Sequence, residues 1–513
     1  MTIKRVYDLG LWIVNNYFMR FFRLFKIDFR SFVLGRFLLG MMVVIDSLLR
    51  SVDLAAHYSD DGFLPRHFRM LDMHPFEWSL HLANGSVEFA GLLVLVMCAA
   101  GVCLAFGYQR RWATFVTWLL LTSLCFRTPS VCTGGDSILR LLLFWSFFVG
   151  PGFSSKEPKT ALDPQPCYLD VGTFCLLFQI CSIYWVTALL KYHSVWRTEG
   201  TALEWTLGIE SFQGPLANSA LQYPLLLKVL TFATLRVEEL APFFALLPFR
   251  FGRTRTVAVL SMIVFHLFGI ALTLRLGTFP WISAISWVFF LPPYFWDRLE
   301  KSRLLRWSFT LHPQQASQNG GDTFLGHAFL QTLALLLVAY TTWWNISAVA
   351  PVSWGKLMPA EIRTLGYSLG IGQNWFLFAP RPATRDGWYV SEALLKDGSV
   401  VDPLHDGAPV SFEKPSRGLA AEYPNSRTQR FFHSMFYTRQ RGQLLALGDG
   451  IIRSWNATHD NSITKLSVYF MLQDHWHPED GIRKIKVFPV EATDDEGHAI
   501  FPDDLRWKDP SNS

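Results

Sequence analysis

The chain has 513 residues, a formal net charge of +5, 50% hydrophobic and 15% aromatic residues, and the apolar material is concentrated before residue 350. That distribution describes a membrane protein with a more polar C-terminal part, and lysines and arginines scattered through short loops leave no nucleic-acid-binding footprint. Seven cysteines without a repeated CxxC spacing indicate neither a disulfide framework nor a zinc site, and no metal site is expected.

In chain order, the N-terminal stretch combines aromatic residues with Arg20, Arg23 and Lys26 and lacks a small-residue cleavage site, so residues 1–31 are expected to form a cytoplasmic, interfacial segment. Apolar runs suited to a hydrocarbon core of about 30 Å follow. They lie near Phe32–Leu49, Val87–Phe106, Trp112–Phe126, Ile138–Val149, Leu169–Leu190, Leu225–Leu247, Val257–Leu274, Phe279–Phe295 and Leu325–Val349. The expected fold is therefore an all-α polytopic membrane bundle of about nine transmembrane helices over residues 32–350, followed by a small α+β extracytoplasmic domain over 351–513.

Every second loop is basic: Lys4 to Arg30 precede the first run, Arg110 and Arg111 join the second and third, Lys156 and Lys159 follow the fourth, Arg250 to Arg255 precede the seventh, and Arg298 to Arg306 follow the eighth. The positive-inside rule then puts the N terminus in the cytoplasm and everything after Pro351 outside. On the same outer face it collects three unusual loops, HYSDDGFLP (57–65), RTPSVCTGGDS (127–137) and the segment from Lys191 to Gly208.

After Pro351 the pattern changes. Trp388–Lys396, Ile463–Gln473 and Lys484–Val490 alternate as strands around turn signals at Asp397-Gly398 and Asp480-Gly481, and Arg427–Leu447 is helical. Trp375, Phe376 and Phe378 are expected to rest on the outer membrane-facing surface.

Lys191 is the sharpest candidate for chemistry, as a base. A lysine ending a membrane helix can snorkel to the interface and do nothing else; in an enclosed apolar site a neutral amine is favoured and can act as general base or nucleophile. Trp196 and Glu199 follow it closely. Asp136, ahead of the fourth run, either caps that helix or belongs to an anion-attracting turn, and Arg140, one turn on, is its expected partner. Asp61 lies in an outer turn beside Asp60. Glu238 and Glu239 sit inside the sixth run and His266 inside the seventh, where ionisable groups face a bundle interior or a cavity. A Glu–His bond that fixes packing and the wall of a polar pocket both remain open for them. His475 and His477 lack a third metal ligand at a helpful spacing.

The ordered stretches RFLLGMMVVIDSLLR, HYSDDGFLP, RTPSVCTGGDSILRLLLFW, YWVTALLKYHSVWRTEGTALEW, RVEELAPFFALLP and FHLFGIALTLRLGTFPW together resemble the horizontally transferred transmembrane (HTTM) domain family, which includes the membrane portion of vitamin K-dependent gamma-carboxylase. The resemblance covers roughly residues 25 to 300. QNWFLFAPRPATRDGWYV, from Gln373 to Val390, is similar to segments that follow this domain in bacterial members, implying a bacterial inner-membrane protein. By its place before the Trp and Gly of its motif, Lys191 matches the carboxylase lysine that activates the reduced vitamin. Gly135 stands where that enzyme has a functional histidine, and the outer domain here is smaller, so the resemblance does not carry carboxylation over.

Two functions are therefore expected. The first is a membrane protein with an outward-facing polar pocket drawn from Lys191, Asp61, Asp136, Arg140, Trp196, Glu199, Glu239 and His266, acting as an enzyme on a lipid-soluble or quinone-like substrate or cofactor. The alternative is a non-enzymatic anchor that assembles with, or helps to mature, an exported peptide or protein. Membrane lipids are partners in both.

Overall fold

The computed structural model describes residues 21–150, 167–302, 324–355, 357–438, 440–490, 492–493 and 499–500. Most of the expected interfacial segment, together with Lys156, Lys159, Arg303 and Arg306, lies outside the described residues. Its described end, from Phe21, holds a 3₁₀ turn (Arg23–Phe25) and a two-residue strand paired with Cys167–Tyr168. Phe25 and Ile27 are fully buried, and Phe25 meets the Phe174 ring edge-on at 4.8 Å, so this part is packed core.

Each apolar run is helical. The helices are α1 (Phe29–Ser51), α2 (Val87–Phe106), α3 (Arg110–Arg127), α4 (Gly134–Phe148), α5 (Val171–Leu190), α6 (Pro224–Leu246), α7 (Phe251–Val264, continued by a π turn to Ile270) and α8 (Phe279–Val288). After α8 come the amphipathic α9 (Pro293–Lys301) and the long α10 (Phe324–Val349). Among the described residues, five helices are long and apolar enough to cross a membrane: α1, α2, α5, α7 with its π turn, and α10. The other four are limited by their own sequences. Three arginines fall within the 18 residues of α3, and α6 carries Lys228, Arg236, Glu238 and Glu239. α4 has 15 residues, and the eighth run stops after 10, because Pro292 and Pro293 break the helix before Phe295. Large apolar side chains stand exposed along α2 (Leu92, Leu95), α6 (Leu225, Phe243) and α7 (Val257, Phe268), as an integral membrane protein requires.

Local chemistry sets the helix ends. Ser86 caps α2, Asp170 and Thr173 form a reciprocal capping box at α5, and Gly107 ends α2 in the left-handed region. Where α1 crosses α2, a Cβ on Gly40 would lie 2.5 Å from the Ala105 amide nitrogen, so only glycine permits the approach. Arg255, at the start of α7, donates to the Phe290 carbonyl beyond α8 (2.7 Å) and to Leu24 O (3.0 Å), which ties the start of α7 to the end of α8 and to the turn before α1.

The C-terminal part begins with α11 (Ala360–Ser368). Its sheet has the order β2–β1–β3–β4, all antiparallel, from β1 (Arg385–Leu395), β2 (Val400–Val401), β3 (Ile463–Asp474) and β4 (Ile482–Val490). Two helices, α12 (Ser426–Thr438) and α13 (Arg441–Thr458), replace the single helix expected from sequence. Phe436 stacks on Phe470 at 4.0 Å across one face of the sheet, while Leu419 packs with Trp388, Val390 and Met471 in a second buried cluster. Both faces of the central strands are thus covered, and their burial does not alternate.

This domain is bolted to the end of the bundle opposite Arg255. Arg427 reaches Asp46 on α1 (2.6 Å), Asn425 reaches Asp53 (2.8 Å), and Asp72 accepts the amides of Gly442 and Gln443 (2.9 and 3.1 Å), capping α13.

One ion pair inside the domain makes its stability pH-dependent. His405 sits between Asp402 (2.8 Å) and Glu422 (2.6 Å), and these carboxylate hydrogen bonds push its pKa from the ordinary 6.5 up to about 10. The raised value means that the imidazolium stabilises the fold fully below about pH 6.5, and that this contribution is lost as pH rises through about 10. Thermal unfolding of the full chain is expected to weaken between pH 7 and 10 by more than that of a His405→Gln variant. Parallel curves for the two proteins would show that His405 carries no pH-linked stability.

Candidate functional site

Lys191 is the first residue beyond α5, with its amide still bonded to Thr187 O (3.2 Å). The chain then turns into a short helix, Ser194–Arg197, whose Arg197 side chain folds back onto the carbonyls of Ala188 (2.8 Å) and Lys191 (3.0 Å), capping the open end of α5. This turn directs the lysine inward. Lys191 is 2% exposed, its ammonium lies 4.6 Å from the centre of the Trp196 ring, and it donates to the Glu238 carboxylate of α6. It does not snorkel.

The adjacent glutamates divide the work. Glu238 faces inward to Lys191, and Glu239 faces outward, bonded to Arg197 and Arg236 at 2.5 Å each. Pro242, one turn on, lacks the amide that would bond the Glu238 carbonyl.

His266 stands in the π turn of α7, a local widening of the helix often associated with functional sites. Its Nε2 is joined to the Tyr184 hydroxyl at 2.8 Å, and its Nδ1 is buried with no hydrogen-bond partner among the described residues. Tyr184 precedes Lys191 by seven positions, two turns along the same face of α5. The histidine therefore bonds a tyrosine, and the glutamate pairs with the lysine, in place of a Glu–His bond.

The segment after α11 roofs this cluster. Trp196 donates to Phe378 O (3.0 Å) and Thr187 to Trp375 O (3.3 Å). The segment is held by Gln373, whose side-chain oxygen accepts from Gln179 (3.0 Å), Asn345 (3.1 Å) and Trp375 (2.8 Å). Trp375 is buried and Phe376 is exposed, so only part of the aromatic run expected at the membrane surface stays on the outside.

Asp136 belongs to a second cluster. It closes a capping box with Thr133, whose amide lies 2.6 Å from Oδ2, and its other oxygen takes a hydrogen bond from Arg50 of α1. Arg50 is wholly buried and also binds Asp46 (2.6 Å) and the Tyr58 hydroxyl (2.5 Å). Arg140, the partner expected one turn away, instead lies over the Phe126 ring of α3 at 5.9 Å, because Arg50 fills the place beside Asp136. Phe279 links the two clusters. Its ring meets His266 edge-on at 6.0 Å, and a Cβ on Gly135 would lie 2.9 Å from the Phe279 Cα, so position 135 has no room for an imidazole.

Of the residues named from sequence, Lys191 and Trp196 touch, His266 joins α5 through Tyr184 two turns from the lysine, Glu239 stands on the outer side of α6, and Asp136 lies beyond Phe279. Asp61 lines a separate cleft of about 520 Å³ between the 55–63 loop and the C-terminal domain, with Asp406, Phe432 and His459. Glu199 is exposed; its amide donates to Ser194 O (2.9 Å) and its carboxylate accepts from the Thr201 hydroxyl at 3.5 Å. Tyr184, Arg50, Asp46 and Arg427 escaped notice. The first was legible as the residue seven before Lys191, and Asp46 and Arg50 as an i,i+4 pair of opposite charge inside an apolar helix.

No protein-family model, curated protein or solved structure matches this chain, and its chemistry is read from its own residues.

Proposed function

We propose that the chain is a multi-pass protein of the HTTM type in a bacterial inner membrane, with nine spans, a cytoplasmic N terminus and residues 351–513 outside. Lys191, Glu238, Tyr184 and His266 form its acid–base site, which acts on a lipid-soluble, quinone-like substrate or cofactor. The observation that carries this reading is the placement of Lys191: 2% exposed, against Trp196 and Glu238, close to a histidine whose Nδ1 has no partner among the described residues. A structural ion pair needs neither that free nitrogen nor the tyrosine behind it. In a water-poor site the proton of the pair can rest on either partner, and with it on Glu238 the Lys191 amine is free to take a proton from a substrate hydroxyl.

Purified full-length protein should retain a hydrophobic small molecule, detected by mass spectrometry of an organic extract, and Lys191→Met should lose it. Equal extracts from both proteins would remove the site from consideration. An impermeant thiol reagent on intact spheroplasts should label a cysteine placed at Ser194 and spare one placed at Ser302. The reverse pattern would put the lysine on the cytoplasmic side.

The cleft at Asp61 supports a second reading, in which an exported polypeptide seats between the loop and α13 for maturation or assembly. Photocrosslinkers at Asp61 and Ser454 that capture one specific polypeptide, with equal yield in Lys191→Met, would favour it.

A further inference from the structure

A groove of about 700 Å³ runs between α6 and α7, far from the lysine cluster in its chemistry. Its floor is made of the buried Ala241 and Ala258, and it is lined further by the small Ala233 and Ser261 and by Leu240, Phe244 and Val257. Small side chains on two adjoining helices leave a concavity that large neighbours on the same helices deepen. Phe244 and Val257 are exposed, so the groove opens to the outer surface of the bundle, along a helix apolar enough to cross a membrane. The volume lies within the range of about 300–1,000 Å³ typical of small-molecule sites.

One end of the groove is basic. Arg250 and Arg253, in the turn between the helices and the first turn of α7, line it there. Neither has a carboxylate partner among the described residues; the guanidinium of Arg250 lies over Phe249 at 5.4 Å and that of Arg253 over Tyr294 at 5.9 Å. The neighbouring cations are otherwise engaged. Arg255 is spent on the carbonyls of Phe290 and Leu24, Arg30 on Asp28, Asp297 and Glu300, and Arg236, further along the groove, on Glu239. Two arginines at the end of a mostly apolar channel are thus left with their donors directed to no acid among the described residues.

We propose that this groove binds one anionic phospholipid, with an acyl chain along Leu240, Phe244 and Val257 and the phosphate held by Arg250 and Arg253. Charge selects the lipid. Guanidinium forks match phosphate oxygens, and basic pockets between membrane helices favour headgroups that carry net negative charge over zwitterionic ones. The inference is independent of the lysine site.

The test uses the delipidated full-length protein in detergent with an equimolar mixture of phosphatidylglycerol and phosphatidylcholine of the same acyl chains, and native mass spectrometry of what stays bound. Phosphatidylglycerol should be retained roughly tenfold over phosphatidylcholine, Arg250→Gln with Arg253→Gln should abolish that preference, and the Lys pair should keep most of it. Ala258→Trp, which fills the floor and leaves both arginines, should lower phosphatidylglycerol retention as well; it also serves if the Gln pair fails to fold. Inorganic phosphate in excess should leave the lipid bound. Absence of a preference in the wild type, a preference that survives the Gln pair, unchanged retention in Ala258→Trp, or displacement by phosphate alone would each overturn the proposal.

Discussion

Replacing Arg50 by methionine is expected to cost about 3–5 kcal/mol, the usual penalty for stranding a buried charge. The guanidinium is wholly buried and binds Asp46, Tyr58 and Asp136, so its loss leaves two carboxylates of the bundle short of their main cation. Asp46 keeps Arg427 at 2.6 Å, and Asp136 keeps the Thr133 amide at 2.6 Å and the Thr133 hydroxyl at 2.8 Å, so the damage is a desolvation penalty and leaves some bonds in place. Two consequences separate this account from loss of packing. A triple variant that adds Asp46→Asn and Asp136→Asn should be more stable than Arg50→Met alone, because the stranded charges are gone. Limited proteolysis should also cut the 373–384 segment no sooner in Arg50→Met than in the wild type, since Arg427 still holds Asp46 and with it the C-terminal domain on α1. A loss under about 1 kcal/mol in denaturant unfolding would mean that water reaches this cluster, as it does at surface pairs.

The same residues show what a sequence can disclose. Apolar runs located most of the helices to within a few residues, because a bilayer and a helix impose fixed lengths and periods on a chain, while the eighth run ends at Val288, short of the expected Phe295. The strands and their glycine turns were legible for the same kind of reason: Gly398 and Gly481 take the positive φ that their turns require. Partnerships across the fold were not. Arg50 and Asp136 are 86 positions apart, Lys191 and Glu238 are 47 apart, and Arg427 and Asp46 are 381 apart. Nothing local in the chain favours Arg50 over Arg140 as the partner of Asp136; helical spacing argues for Arg140, and only the fold, in which α1 and α4 both pack on α8 and Arg50 reaches across, decides otherwise. Asp61 was grouped with Lys191 because both follow outward-running helices, but the C-terminal domain settles over the 55–63 loop and closes a different cleft around it.

The lysine pair supplies the second large effect, and it separates structure from chemistry. Lys191→Met alone leaves the Glu238 carboxylate buried against Trp196 and the α5 end, and Glu238→Gln alone leaves a buried ammonium; each is expected to cost about 3–5 kcal/mol. The double variant removes both charges and keeps side chains of similar volume, so it should be more stable than either single variant, with a coupling of about 2 kcal/mol or more in a double-mutant cycle. Because that protein folds, it can be asked about function. If Lys191 and Glu238 serve only to join α5 to α6, the double variant should retain the same extractable small molecule as the wild type. If they form the acid–base site with Tyr184 and His266, the double variant should be stable and empty, and Tyr184→Phe, which removes only the hydroxyl 2.8 Å from His266, should weaken retention with little change in stability. Additive losses of stability in the cycle would show that the two side chains are not coupled, and the inward turn of Lys191 would then need another cause.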